Sequence, residues 1–126
     1  MEKGFTLLEL LIVVGLLGII TAIGIPQYIG YVDNSNIGLV KNNLRSIYLA
    51  EQEYYRKNNI YYRTGATCTD AASNINTNLF SGQNTISNND FTYCITQTTT
   101  DDFTATASEI DGTRNFTINN LNVTNF

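Results

Sequence analysis

Sixteen consecutive residues, Leu10 to Ile25, carry no charge, and Thr21 supplies the only hydroxyl among them. Carried back to Phe5, the apolar stretch would be about 31 Å long as a helix, enough to cross a bilayer core of about 30 Å. A helix with no polar face belongs in lipid or in a bundle of like helices. One charge interrupts it, at Glu9. A carboxylate near the middle of a membrane helix costs about 2.5–3.5 kcal/mol on insertion scales, and less toward an end. From the residues alone, two readings of Glu9 stand. Either it is near enough to the end to reach the headgroups, or it has a functional partner. The segment is not an ordinary secretory signal. Its apolar run exceeds the usual 7–15 residues, and Gly24-Ile25-Pro26-Gln27-Tyr28 is a poor cleavage sequence.

The rest of the composition narrows the chemistry. The chain has 126 residues, enough for one small domain, and it contains no His, no Trp, one Pro and two Cys. Without histidine, Ser-His-Asp and Cys-His mechanisms are excluded, and two cysteines alone do not make a structural zinc site. No catalytic residues, cofactor or metal ligands are expected. The net charge of −4 argues against nucleic acid as the default partner, and no dedicated DNA-binding patch is evident from Arg63 and Arg114, the only basic residues after the helix. From residue 64 onward the chain holds fifteen Thr and eleven Asn and reads as short strands and loops.

Gly4-Phe5-Thr6-Leu7-Leu8-Glu9-Leu10-Leu11-Ile12-Val13-Val14 resembles the type IV prepilin signature: a Gly, a Phe that becomes the new N-terminus, and a Glu four residues further on inside an apolar helix. Pro26 falls where type IV pilins carry a helix-kinking proline. The resemblance covers about the first 60 residues and is shared with type II secretion pseudopilins. It implies cleavage by a prepilin peptidase between Gly4 and Phe5, and N-methylation of Phe5. Lys3 fits the positive-inside rule for such a leader. It further implies that the new Phe5 amine pairs with Glu9 of a neighbouring subunit, which would make Glu9 a registry device for assembly. An ion pair relieves the cost of a carboxylate in low dielectric.

Past Pro26, where a kink or local melting is expected, the pattern turns amphipathic. Ile37, Val40, Leu44, Ile47 and Tyr48 share one helical face, while Lys41, Arg45, Glu51, Glu53, Arg56 and Lys57 fall mostly off it. Asn58-Asn59 reads as the stop. The tyrosines Tyr48, Tyr54, Tyr55, Tyr61 and Tyr62 read as the helix–sheet boundary. Three runs alternate at period two, Phe91–Thr96, Phe103–Ala107 and Phe116–Asn119, with a hairpin signal at Asp111-Gly112 and a fourth strand possible at Leu121–Thr124. Residues 64–89 read as a loop with at most one short helix or strand near Ile75 to Phe80. On an exported domain Cys68 and Cys94 are expected to form a disulfide. Asp101, Asp102, Glu109 and Asp111 match no calcium-loop pattern. Asn115 and Asn122 head sequons of the kind that chance supplies in an Asn/Thr-rich chain.

The expected fold is α+β, a long N-terminal helix packed on a small antiparallel sheet of three to four strands, the pilin fold. The segments are a leader at 1–4, a transmembrane or filament-core helix at 5–27, its amphipathic half at 28–58, and a head of loop and sheet at 59–126. The resemblance implies a non-enzymatic structural subunit, held in the inner membrane as a precursor and polymerised with copies of itself into an extracellular filament. Its other partners would be prepilin peptidase and the inner-membrane assembly machinery. The alternatives are a pseudopilin, disfavoured by Ile60-Tyr61-Tyr62-Arg63 where major pseudopilins tend to have Tyr-Pro-Thr, and a single-pass anchored binding domain.

Overall fold

The computed structural model describes residues 3–65, 68, 71–87 and 90–126. Met1 and Glu2 of the expected leader, and parts of the expected 64–89 loop, lie outside the described residues. The chain is α+β, with helix α1 at Leu7–Asn58, helix α2 at Ala71–Leu79, and strands β1 at Phe91–Thr96, β2 at Thr104–Glu109 and β3 at Asn115–Asn119. Its contacts group into two units that divide within α1, one ending at Ile37 and one spanning Gly38–Phe126.

In the first unit α1 is an unaccompanied apolar helix. Leu10, Leu11, Ile12, Ile19, Ile20 and Ile23 are all more than half exposed, and α1 is long and apolar enough to cross a membrane. Thr21 removes its own polar group from this surface: its hydroxyl donates back to the carbonyls of Leu17 at 2.9 Å and Gly18 at 3.0 Å. Helical structure continues without a break through Pro26, so the expected local melting is not seen. The ring still deprives the Ala22 carbonyl of its usual donor.

The second unit has its own core. The sheet order is β1-β2-β3, antiparallel throughout. Register places Tyr93, Ala107 and Phe116 in one row and Ile95, Ala105 and Ile118 in the next. Large–small–large rows suit a helix laid over the central strand. Val40, Leu44 and Ile47 of α1 join Tyr93, Ile95, Ala105, Ala107 and Ile118 in one buried cluster, with Ile75 of α2 and Phe103. The helix stripe differs from expectation in its polar members. Asn43 is buried and its Nδ2 donates to the Tyr93 hydroxyl at 2.9 Å. Glu51, expected off the stripe, is fully buried. It sits four residues past Ile47, where the stripe at 40, 44 and 47 next turns inward.

The expected fourth strand reduces to a single bridge between Ile118 and Thr124. The reason is local: the Asn119 side-chain oxygen accepts from the backbones of Leu121 and Val123, and Asn122 adopts φ +60°, so side-chain bonds hold a tight turn where a ladder would run. The β2–β3 connection is longer than a two-residue hairpin. Gly112 takes φ +77°, and Asp111 accepts from the Thr113 backbone. Arg114 and Glu109 pair across this turn, with Nε to Oε2 at 2.7 Å. That pairing holds the Glu109 carboxyl down to about pH 2. Cys68 and Cys94 form a disulfide with a Cα–Cα distance of 5.4 Å.

The tyrosines lie where α1, β1 and the segment after the helix meet. Tyr55 stacks on Tyr61 at 4.5 Å, Tyr61 packs against Phe103 at 4.9 Å, and Tyr54 meets Tyr62 edge-on at 5.8 Å.

Candidate functional site

The start of α1 is built by a short sequence device. Thr6 precedes the first helical residue, and its Oγ1 accepts the backbone N–H of Glu9 at 3.2 Å, while its carbonyl accepts from Leu10 at 3.2 Å. Thr6 is therefore the N-cap, satisfying a donor in the first turn that lipid or a helix bundle would leave bare. The Thr-x-x-Glu spacing at 6–9 is a capping-box pattern, and that signal could have marked Thr6. Glu9 lies in the first turn of α1, where the helix dipole favours an acid.

Gly4 and Phe5 precede the helix in exposed positions, Phe5 with 84% of its surface accessible. Among the described residues the Glu9 carboxylate has no side-chain partner. Pro26 lies in the same unit, farther along α1. Cys68 and Cys94 belong to the other unit, where the disulfide joins the segment after Gly65 to β1. Thr64 reinforces that junction: its N–H donates to the Ile95 carbonyl at 3.0 Å, and its Oγ1 accepts from the Ile95 N–H at 2.9 Å.

Three of the four acids weighed for calcium are spent on turns, and the fourth, Asp101, on a tyrosine of α1. Asp102 accepts from the backbones of Thr98 and Thr99 at 2.8 and 2.9 Å, which lowers its carboxyl pKa through the Thr99 and Thr98 N–H groups. Asp101 accepts from the Tyr55 hydroxyl at 3.3 Å. Glu109 and Asp111 hold the β2–β3 turn. Among the described residues no group of three or more His, Cys, Asp or Glu is placed to hold a metal ion.

Comparison with known proteins assigns both parts of the chain. Residues 1–25 match the family model described as "Prokaryotic N-terminal methylation motif". Residues 26–118 match the model described as "Type IV minor pilin ComP, DNA uptake sequence receptor". The chain is 39% identical over 60 residues to the type IV major pilin protein PilA of Myxococcus xanthus, covering 48% of this chain and 27% of that protein. It is 52% identical over 40 residues to the type IV major fimbrial protein FimA of Dichelobacter nodosus, covering 32% of this chain and 26% of that protein. It is 32% identical over 88 residues to the type IV major alpha-pilin of Moraxella bovis, covering 59% of this chain and 55% of that protein. The matches thus span from about a quarter to about half of these relatives' length. With a family model covering about three-quarters of its length and a methylation motif at its start, this chain belongs to the type IV pilin family.

Proposed function

We propose that this chain is a structural subunit of a type IV pilus, carrying no enzymatic activity of its own. Prepilin peptidase cleaves the precursor between Gly4 and Phe5 and N-methylates Phe5. The precursor stands in the inner membrane through α1, and the assembly machinery there passes it into an extracellular filament. One observation carries the reading: an acid sits in the first turn of a helix whose apolar N-terminal half is exposed, with no side-chain partner among the described residues. Cleavage at Gly4 would create a cation at Phe5, and the amine of a neighbouring copy would give Glu9 the counter-charge that low dielectric demands. The helix glycines support the same reading. A Cβ at Gly15, Gly18, Gly24 or Gly30 meets nothing within 4 Å, so packing inside this chain does not require them, whereas close approach by other helices would use them.

Replacing Glu9 with Ala tests this. The variant is expected to insert in the membrane at normal levels and to give less than about a tenth of the sheared filament yield, since a lost buried ion pair costs about 3–5 kcal/mol. Normal yield would sink the pairing.

The description of the matched family names a DNA uptake sequence receptor, which makes DNA binding the second reading. Charge weighs against it here. The net charge is −4, Lys41 and Arg45 lie over the rings of Phe116 and Phe126, Arg56 and Lys57 pair with Glu53, and Arg114 pairs with Glu109.

A further inference from the structure

We propose that two adjoining clefts on either side of Arg63 form a binding site for a carboxylated sugar. The backbone around Arg63 is fixed from both sides. The Tyr62 N–H donates to Glu51 at 2.8 Å, Gln97 Nε2 donates to the Tyr61 carbonyl at 2.6 Å, and the Thr64 N–H donates to the Ile95 carbonyl at 3.0 Å. The guanidinium between these anchors is exposed and, among the described residues, has no carboxylate or aromatic partner. In the second unit every other basic side chain has one. Arginine's planar fork grips a carboxylate through two parallel bonds, and a fork on a rigid backbone loses less entropy when it does so.

The clefts supply the rest of the recognition. One, of about 360 Å³, is lined by Arg63, Thr64, Gly65, Ile95, Thr96 and Gln97. The other, of about 410 Å³, shares Arg63 and Gln97 and adds Ile60 with Thr98, Thr99 and Thr100. Both fall in the range of about 300–1,000 Å³ typical of ligand sites. Gln97 spends its amide N–H on Tyr61 and keeps its carbonyl for an incoming hydroxyl. The Thr64, Thr96 and Thr99 hydroxyls are engaged within the chain, which leaves those of Thr98 and Thr100 to donate to and accept from a sugar, and Ile60 offers an apolar surface for a ring face.

Asp102 accepts from the backbone of Thr98 and Thr99 and so fixes that part of the second cleft's lining. This inference does not depend on filament assembly.

The test uses the full chain, ¹⁵N-labelled in detergent micelles, titrated with glucuronate, glucose and a short duplex DNA. Glucuronate is expected to shift the Arg63 side-chain and Gln97 amide signals saturably, with glucose at least about tenfold weaker. Arg63→Gln should weaken glucuronate binding by about tenfold or more, and Arg63→Lys by an intermediate factor, since a lysine keeps the charge and loses the fork. Equal response to glucose and glucuronate, or undiminished binding by Arg63→Gln, would overturn the proposal. So would a preference of these signals for duplex DNA with a steep salt dependence.

Discussion

Glu51 sits fully buried in the second unit, with Oε2 accepting the Tyr62 N–H at 2.8 Å and Oε1 bonded to nothing among the described residues. Burial drives its pKa up from 4.5 to about 8, against the lowering pull of the Tyr62 bond. The folded chain therefore keeps a proton that the unfolded chain releases. Its stabilising contribution is complete below about pH 4.5 and declines as the pH rises, until the pH passes about 8. Asp102 and Glu109, whose pKa values are lowered, act in the opposite sense and at more acidic pH, outside this window. Thermal unfolding followed by near-UV circular dichroism should show a midpoint that declines from pH 5.5 to pH 8. Glu51→Gln should flatten that decline and be the more stable of the two proteins at pH 8. Parallel declines in both proteins would remove Glu51 as the cause. The same residue shows where sequence reading stops. Its charge placed it outside the apolar stripe, while the spacing 40, 44, 47, 51 placed it inside, and in the folded chain the geometry of the helix decides.

At the scale of elements, the segment after α1 lies along the outer edge of β1, held by Thr64 and the Cys68–Cys94 disulfide. Closing a loop of 26 residues is worth about 3.5 kcal/mol in the chain-entropy account. Replacing both cysteines with serine should lower unfolding stability by about that amount, read by denaturant unfolding of the non-reduced proteins. An unchanged midpoint would show that hydrogen bonding alone holds the segment. Strand periods were legible because the buried face is monotonous: Phe91, Tyr93 and Ile95 alternate with Thr92, Cys94 and Thr96. β2 begins one residue later than its apolar run suggested and continues to Glu109, because backbone pairing with β1 extends past the alternating residues. α2 was foreseen only as a short element near Ile75. It begins at Ala71, among small and polar residues with weak intrinsic pattern, and it is fixed by burial of Ala71, Ile75 and Asn76. Asn76 bonds both the N–H and the carbonyl of Ile86, a long-range contact that no local period announces.

At the scale of the whole molecule, two solvents explain the composition. Among the described residues, α1 from Leu7 to Ile37 has no core of its own, while the unit from Gly38 to Phe126 has one. At the helix start Gly4, Phe5 and Glu9 stand out by their spacing along the chain alone, whereas the capping role of Thr6 shows in its bond to the Glu9 N–H. The Arg63 clefts were not, since they form only when residues 60–65 meet 95–100 across the β1 edge. The pilin reading requires Phe5 to become a methylated N-terminus in an assembled filament. Intact-mass and N-terminal peptide mass spectrometry of material sheared from the cell surface tests it most directly. The expected chain begins at N-methylated Phe5 and lacks Met1 to Gly4. A chain that still begins at Met1 and is found only in the membrane fraction would contradict it.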